Sequence, residues 1–168
     1  MDNLKVTAPA GETFLTMTRT FDAPRALVWK AMTERQHIAR WWGASSFTEK
    51  VVVTDYDLRI GGKWRFESYG KDGQRFVFHG HILALNAPMR VVQTFGMEGM
   101  FEDKLIVEDM TLEELPDGRT LYRQLSSYDS VADRDGMVAT GMEVGARETL
   151  DQLEQVAREL AAQAQQQQ

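Results

Sequence analysis

The chain has no cysteine in its 168 residues. That excludes a disulfide framework, thiolate metal sites and cysteine nucleophiles. Positive charge is the minority sign, with 19 Lys and Arg against 25 Asp and Glu and a net charge of -6. A phosphate backbone attracts clustered cations, and no basic stripe is present, so nucleic acid is not an expected partner. No apolar run is long enough to span a bilayer, and the polar first thirteen residues lack the apolar stretch of a signal peptide. Membrane insertion is therefore not expected, and a cytoplasmic location is. Histidine is scarce as well. His79 and His81 share one side of a strand, a spacing that can hold a metal, but Phe76 and Phe78 claim the opposite, inner side. Read as solvent-facing and without a third ligand, the two histidines give no metal site, and no cofactor is expected. His37 reads as a half-exposed surface histidine beside Trp41 and Trp42.

What is present is hydrophobic periodicity of two kinds. Residues 14–21 alternate apolar side chains with Thr or Arg, as a strand does. Asp22 and Pro24 then read as a capping carboxylate and a first-turn proline, and Thr33 with Gln36 as a second capping pair for a short helix that Gly43 ends. From there the period is two, with strands expected at 48–57, 63–69, 75–85, 90–95, 104–115 and 120–128. Gly61-Gly62, Asp72-Gly73, Asn86-Ala87-Pro88 and Pro116-Asp117-Gly118 supply the turns between them. Short loops make consecutive strands antiparallel neighbours. Ser130 with Asp133 caps the last helical stretch, in which Met142, Ala146, Leu150, Leu153, Ala157 and Leu160 line one face. A break is expected near Gly141. The expected fold is α+β: a curved seven-stranded antiparallel sheet wrapped around a long C-terminal helix, with two short helices after the first strand. All 168 residues form one domain in this reading, with 1–12 and 161–168 as loose ends.

Such a sheet cannot fill the space under one helix everywhere, so a pocket is expected there. Alternation places Trp64, Phe66 and Ser68, then Phe76, Phe78, Gly80 and Ile82, on the inner face. Val91, Gln93 and Phe95 follow, then Glu108, Met110 and Leu112, then Tyr122, Gln124, Ser126 and Tyr128. Adding Arg19, Trp42, Phe47, Met137 and Met142, the candidate cavity residues are Arg19, Trp42, Phe47, Trp64, Phe66, Phe78, Gln93, Phe95, Glu108, Met110, Tyr122, Gln124, Tyr128, Met137 and Met142. Buried polar groups left unmatched cost about 1–3 kcal/mol each, so the polar members must meet each other, water or a ligand. Glu108 has two readings: an internal ion pair with Arg19, which is preferred, or a general base with a raised pKa. Ser126, Ser127 and Ser130 lack the elbow and partners of a nucleophile, so no catalytic set is assigned.

The segments Arg19-Thr20-Phe21-Asp22-Ala23-Pro24, Val28-Trp29-Lys30-Ala31 and Trp41-Trp42-Gly43 resemble the opening signature of the SRPBCC (START-like, helix-grip) superfamily. The branch they look like is that of the activator of the ninety-kilodalton heat-shock-protein ATPase, or Aha-type. The run 57–64 and the glycine-containing segments 134–137 and 141–145 match its central and closing elements. The resemblance implies a helix-grip fold with a deep cavity between sheet and long helix. Three functions are then expected in descending order. The first is binding of a small hydrophobic ligand, the second a cyclase- or hydrolase-type enzyme, the third a co-chaperone or stress-response partner. The chaperone-activating members carry a further N-terminal domain. An interaction role would use an apolar patch at Met97, Met100 and Phe101 in the loop 96–103, which otherwise reads as a lid; a monomer or a homodimer fits equally.

Overall fold

The structure, a computed structural model, describes residues 3–100 and 102–167. Eight strands run β1 (Lys5–Thr7), β2 (Phe14–Phe21), β3 (Thr48–Tyr56), β4 (Lys63–Gly70), β5 (Arg75–Asn86), β6 (Arg90–Met97), β7 (Ile106–Glu114) and β8 (Thr120–Ser127). They form one antiparallel sheet in the order β1-β2-β8-β7-β6-β5-β4-β3. The meander from β3 to β8 follows from short turns, and β2 closes onto β8 with Phe14 opposite Ser127 and Phe21 opposite Thr120. The expected strand count of seven is one too few. The segment taken for a loose end contains β1, which pairs Lys5 with Thr18 and brings Leu4 into the core. Three residues are too short to show a period, so composition alone hid this strand.

Four helices accompany the sheet: α1 (Arg25–Thr33), α2 (Arg35–Trp41), α3 (Val131–Ala139) and α4 (Met142–Gln166). The Ser130 hydroxyl accepts the Asp133 N–H at 3.0 Å and starts α3 as a capping residue. Gly141, at φ 77°, takes the left-handed turn that separates α3 from α4, a conformation glycine adopts without strain. The two earlier capping assignments do not hold. Pro24, not Asp22, occupies the N-cap of α1, with no side-chain cap hydrogen bond, and the Asp22 backbone N–H donates to Glu154 at 2.7 Å. Thr33 donates its hydroxyl to the Trp29 carbonyl, and Gln36 reaches Glu34, so no reciprocal box forms at α2. After Asp22 the helix starts only at Arg25, with Pro24 at the cap position, and at Thr33 a local backbone acceptor takes the hydroxyl.

One core cluster joins sheet and helices. Leu150, Leu153, Val156, Ala157 and Leu160 form the buried face of α4, and its main backbone neighbours are α1 and α2 rather than the strands. Side chains therefore fill most of the gap to the sheet. A polar link crosses it. Arg19 on β2, only 4% exposed, donates to Asp151 at 2.5 Å and to Glu154 at 2.6 Å, both on α4. The expected Arg19–Glu108 pair is absent, because the guanidinium extends along the end of the core to the helix. Trp64 likewise lies in the solid part of the core, where its indole donates to the Thr94 carbonyl at 3.1 Å across Gly80. A Cβ at Gly80 would stand 2.4 Å from that indole nitrogen, so only glycine permits the bond.

Removing one partner of a buried ion pair strands the others. Arg19→Met should lower the urea-unfolding free energy at pH 7 by about 2–4 kcal/mol. A double-mutant cycle should couple it to Glu154→Gln by more than about 1 kcal/mol and leave it additive with Glu108→Gln. Coupling to Glu108 instead would contradict the pairing seen here.

Candidate functional site

A cavity of about 340 Å³ lies between the inner face of the sheet and α4. Its wall begins with the two tryptophans at the end of α2. Trp41 turns into the core and donates its indole N–H to the Ala31 carbonyl at 2.8 Å. Trp42 has extended backbone dihedrals that end the helix, and its ring meets Phe66 at 4.8 Å, Phe78 at 5.5 Å and Trp64 at 5.8 Å between centroids. Aromatic pairs at such tilted geometry contribute about 0.5–1.5 kcal/mol each beyond burial, which makes this wall rigid. Gln152 of α4 donates to the carbonyls of Trp41 at 2.8 Å and Gly43 at 2.7 Å, fastening the wall to the helix.

The floor is polar and comes from three adjacent strands. Gln93 on β6 stands opposite Glu108 on β7, and Glu108 stands opposite Ser126 on β8. Directly opposed side chains on one face are within reach of each other, and a diagonal step adds Gln124. Gln93 and Gln124 each donate a side-chain N–H to one oxygen of Glu108, both at 3.1 Å. The Gln124 amide also reaches the Ser126 hydroxyl at 3.0 Å and accepts from the Tyr122 hydroxyl at 2.6 Å. Burial raises the Glu108 carboxyl from an ordinary 4.5 to about 7, against the opposing pull of the two amide hydrogen bonds. Burial likewise pushes the Tyr128 phenol up to about 12, and those of Tyr122 and Tyr56 further still.

Of the residues read from sequence, all but Arg19 and Trp64 line this cavity. Phe47, Phe95, Met110, Met137 and Met142 complete the expected set, and Phe47, 52% exposed, marks where the cavity meets the surface. Sequence reading missed Met17, Met32, Tyr56 and Ile106, and on α4 Gly145, Thr149, Leu150 and Leu153 were not assigned to the lining. The α4 members follow the helical spacing already visible. Tyr56 does not follow its strand's alternation, because the pairing of β3 with β4 shifts between Val53 and Asp55 and reverses the phase. His81 is exposed and His79 half-buried, its ring beside Gly96, and neither lines the cavity. His37 lies 3.8 Å from Glu34 and is also outside the lining. In the 96–103 loop, Met100 is exposed and Met97 half-buried; none of its described residues lines the cavity, and Phe101 lies outside the described residues. Among the described residues no cluster of three metal-ligating side chains occurs, and no helix is long and apolar enough to cross a membrane.

Residues 22–158 match the family described as activator of Hsp90 ATPase homolog 1-like protein. The chain belongs to that family. Its fold is the SRPBCC-type α+β fold that the sequence motifs resemble. A solution structure of a protein from Arthrobacter aurescens superposes with a TM-score of 0.82 at 23% identity, covering 92% of this chain and 91% of that one. The crystal structure of protein Ms6760 from Mycobacterium smegmatis gives 0.79 at 23% identity, covering 92% and 96%. CalU16 from Micromonospora echinospora gives 0.60 at 24% identity, covering 94% and 91%. At these identities the likeness is one of fold. No curated protein matches the chain.

The Glu108 shift has a consequence for stability. A carboxyl whose pKa is higher folded than unfolded holds its proton more tightly in the native state, so stability falls as pH rises from about 4.5 to about 7. Above that window the half-buried carboxylate costs up to about 3 kcal/mol. Glu108→Gln should therefore match the wild type in urea unfolding near pH 4 and gain on it steadily to pH 8, by up to about 3 kcal/mol. Parallel pH profiles for the two proteins would show that Glu108 is not the group involved.

Proposed function

We propose that the protein binds a small hydrophobic or amphipathic molecule in the cavity between the sheet and α4. The observation that carries this reading is the unfilled space itself, about 340 Å³ of it, walled by aromatic and aliphatic side chains and floored by one connected polar cluster. Protein interiors ordinarily close to crystal density, and an apolar concavity with a few converging polar groups is the usual form of a small-molecule site. Trp42, Phe66, Phe78 and Phe95 supply contact area, while Gln93, Glu108, Gln124 and Tyr128 orient the guest.

A second reading is favoured by one specific feature, a carboxyl titrating near neutrality inside that cavity. A group with such a pKa can both give and take a proton at physiological pH, as a cyclase- or hydrolase-type enzyme requires. Glu108 would then move the proton, with Gln93 and Gln124 positioning it. The two readings part at turnover: an enzyme returns an altered compound, with a pH–rate inflection near 7 that Glu108→Gln removes.

Gly145 offers a direct test of binding. It lines the cavity on α4, and a Cβ built there meets only Ala44, at 4.0 Å. Gly145→Leu should stabilise the helix by about 1 kcal/mol while putting a branched side chain into the cavity beside Ala44. Native mass spectrometry and thermal shift against lipid, aromatic and polyketide-like compounds should find ligands for the wild type. The variant should bind those ligands about tenfold more weakly or worse. Unchanged affinity in a folded Gly145→Leu protein would place the guest elsewhere.

A further inference from the structure

Glu108 is the one charged side chain among the described residues that line the cavity. Both of its oxygens already accept an amide N–H, from Gln93 and from Gln124. The Gln124 amide is itself fixed in orientation, since its oxygen accepts from Tyr122 and its nitrogen also serves Ser126. N–H donors directed at both oxygens suit the ionised carboxylate, because a protonated one would turn its own hydrogen toward a donor. A carboxylate offers about four acceptor positions. Two are filled here, and the rest remain for whatever enters the cavity.

Among the described residues no cation pairs with this charge. Arg19 is held by Asp151 and Glu154, and Arg134 by the Pro9 and Phe14 carbonyls and by Asp135. No Lys, Arg or His is among the lining residues. A half-buried carboxylate that is hydrogen-bonded but has no ion-pair partner among the described residues is an incomplete arrangement, and the missing element is a positive charge. The aromatic wall of Trp42, Phe66 and Phe78 is also a favourable surface for an ammonium group and the carbons attached to it.

We infer that the guest of this cavity carries a protonated amine that docks on Glu108, with its apolar portion against the aromatic wall. The inference rests on the binding reading above and narrows it from small amphipathic molecules to lipophilic amines.

The test is a matched set of eight-carbon probes differing only in head group: n-octylamine, n-octanol and n-octanoate. Isothermal titration at pH 8 should show the wild type binding octylamine at least about tenfold more tightly than either of the others. The ratio of octylamine to octanol affinity should fall to within about twofold in Glu108→Gln. The wild type alone provides a second measurement that survives any folding failure of the variant. The other titratable groups lining the cavity are the phenols of Tyr56 on β3, Tyr122 on β8 and Tyr128 just after it, all pushed upward by burial. Lining residues on β6, α3 and α4, such as Gln93, Met137 and Thr149, carry no ionisable group. Glu108 is thus the group that titrates near neutrality, and octylamine affinity should weaken about tenfold from pH 8 to pH 6 as the carboxylate fraction falls, with octanol affinity moving little. Tighter binding of octanol or octanoate than of octylamine at pH 8 overturns the amine assignment and leaves the binding function standing. Failure of all three probes to bind overturns both.

Discussion

The structure depends on how α4 is held over the sheet without being pressed flat against it. Its main backbone neighbours are α1 and α2, so the short helices act as spacers that fix its height. Gln152 ties it to the end of α2, and Arg19 ties it to β2 through Asp151 and Glu154. Leucine and valine side chains at one end of α4 complete the core, while Gly145 and Ala146 near the other end are too small to reach the floor. Those small residues leave the space open. The cavity thus results from the distribution of side-chain size along one helix as much as from the bend of the sheet.

Holding the helix off in this way exposes the middle of three strands to a mostly apolar cavity, and that determines the electrostatics. Glu108 loses bulk water without gaining a salt bridge, so its carboxyl is raised toward neutrality although two amides hydrogen-bond to it. The contrast with Glu67 is instructive. That carboxyl accepts hydrogen bonds from Arg65, Arg75 and Tyr69 and is lowered to about 2. Two glutamates in one sheet, on opposite faces, are driven in opposite directions by whether a guanidinium or a cavity lies in front of them.

The sequence made the inner faces of β4 to β8 legible because period two survives wherever a strand pairs without irregularity, and the one shift among these pairings, between Ile82 and Ala84 on β5, lies past Phe78. Trp64, Phe66, Phe78, Gln93, Glu108, Tyr122 and Gln124 fall on the side that alternation assigns. Tyr56 was invisible because the irregularity in β3 adds a residue that no composition marks. The partner of Arg19 was invisible for a different reason. An arginine reaches several ångströms in any direction, and the choice between Glu108 and Asp151 with Glu154 depends on the rotation of α4, which hydrophobic spacing fixes only to within a turn. The local capping signal failed at Thr33 because its hydroxyl donates to the Trp29 carbonyl, and at Asp22 because α1 begins only after Pro24, whereas the Ser130 hydroxyl caps its own helix.

The apolar wall and the polar floor differ in what they say about function. Any chain that folds this way must bury aromatic and aliphatic side chains on the inner face, so Phe66, Phe78 and Leu153 are explained by folding alone. The floor is not. A leucine or methionine at 108 would satisfy the alternation of β7 and would avoid a desolvated charge, and without Glu108 the amides of Gln93 and Gln124 would lose their shared acceptor. An apolar set would pack the same face without these mutual hydrogen bonds, and above neutral pH the Glu108 carboxylate counts against folding. Groups that violate the economy of a core in a connected, hydrogen-bonded arrangement are where a fold's activity is most often located. On the proposed binding reading, the chemistry that would discriminate between guests is accordingly concentrated on β6, β7 and β8, with the surrounding hydrophobic shell supplying contact area.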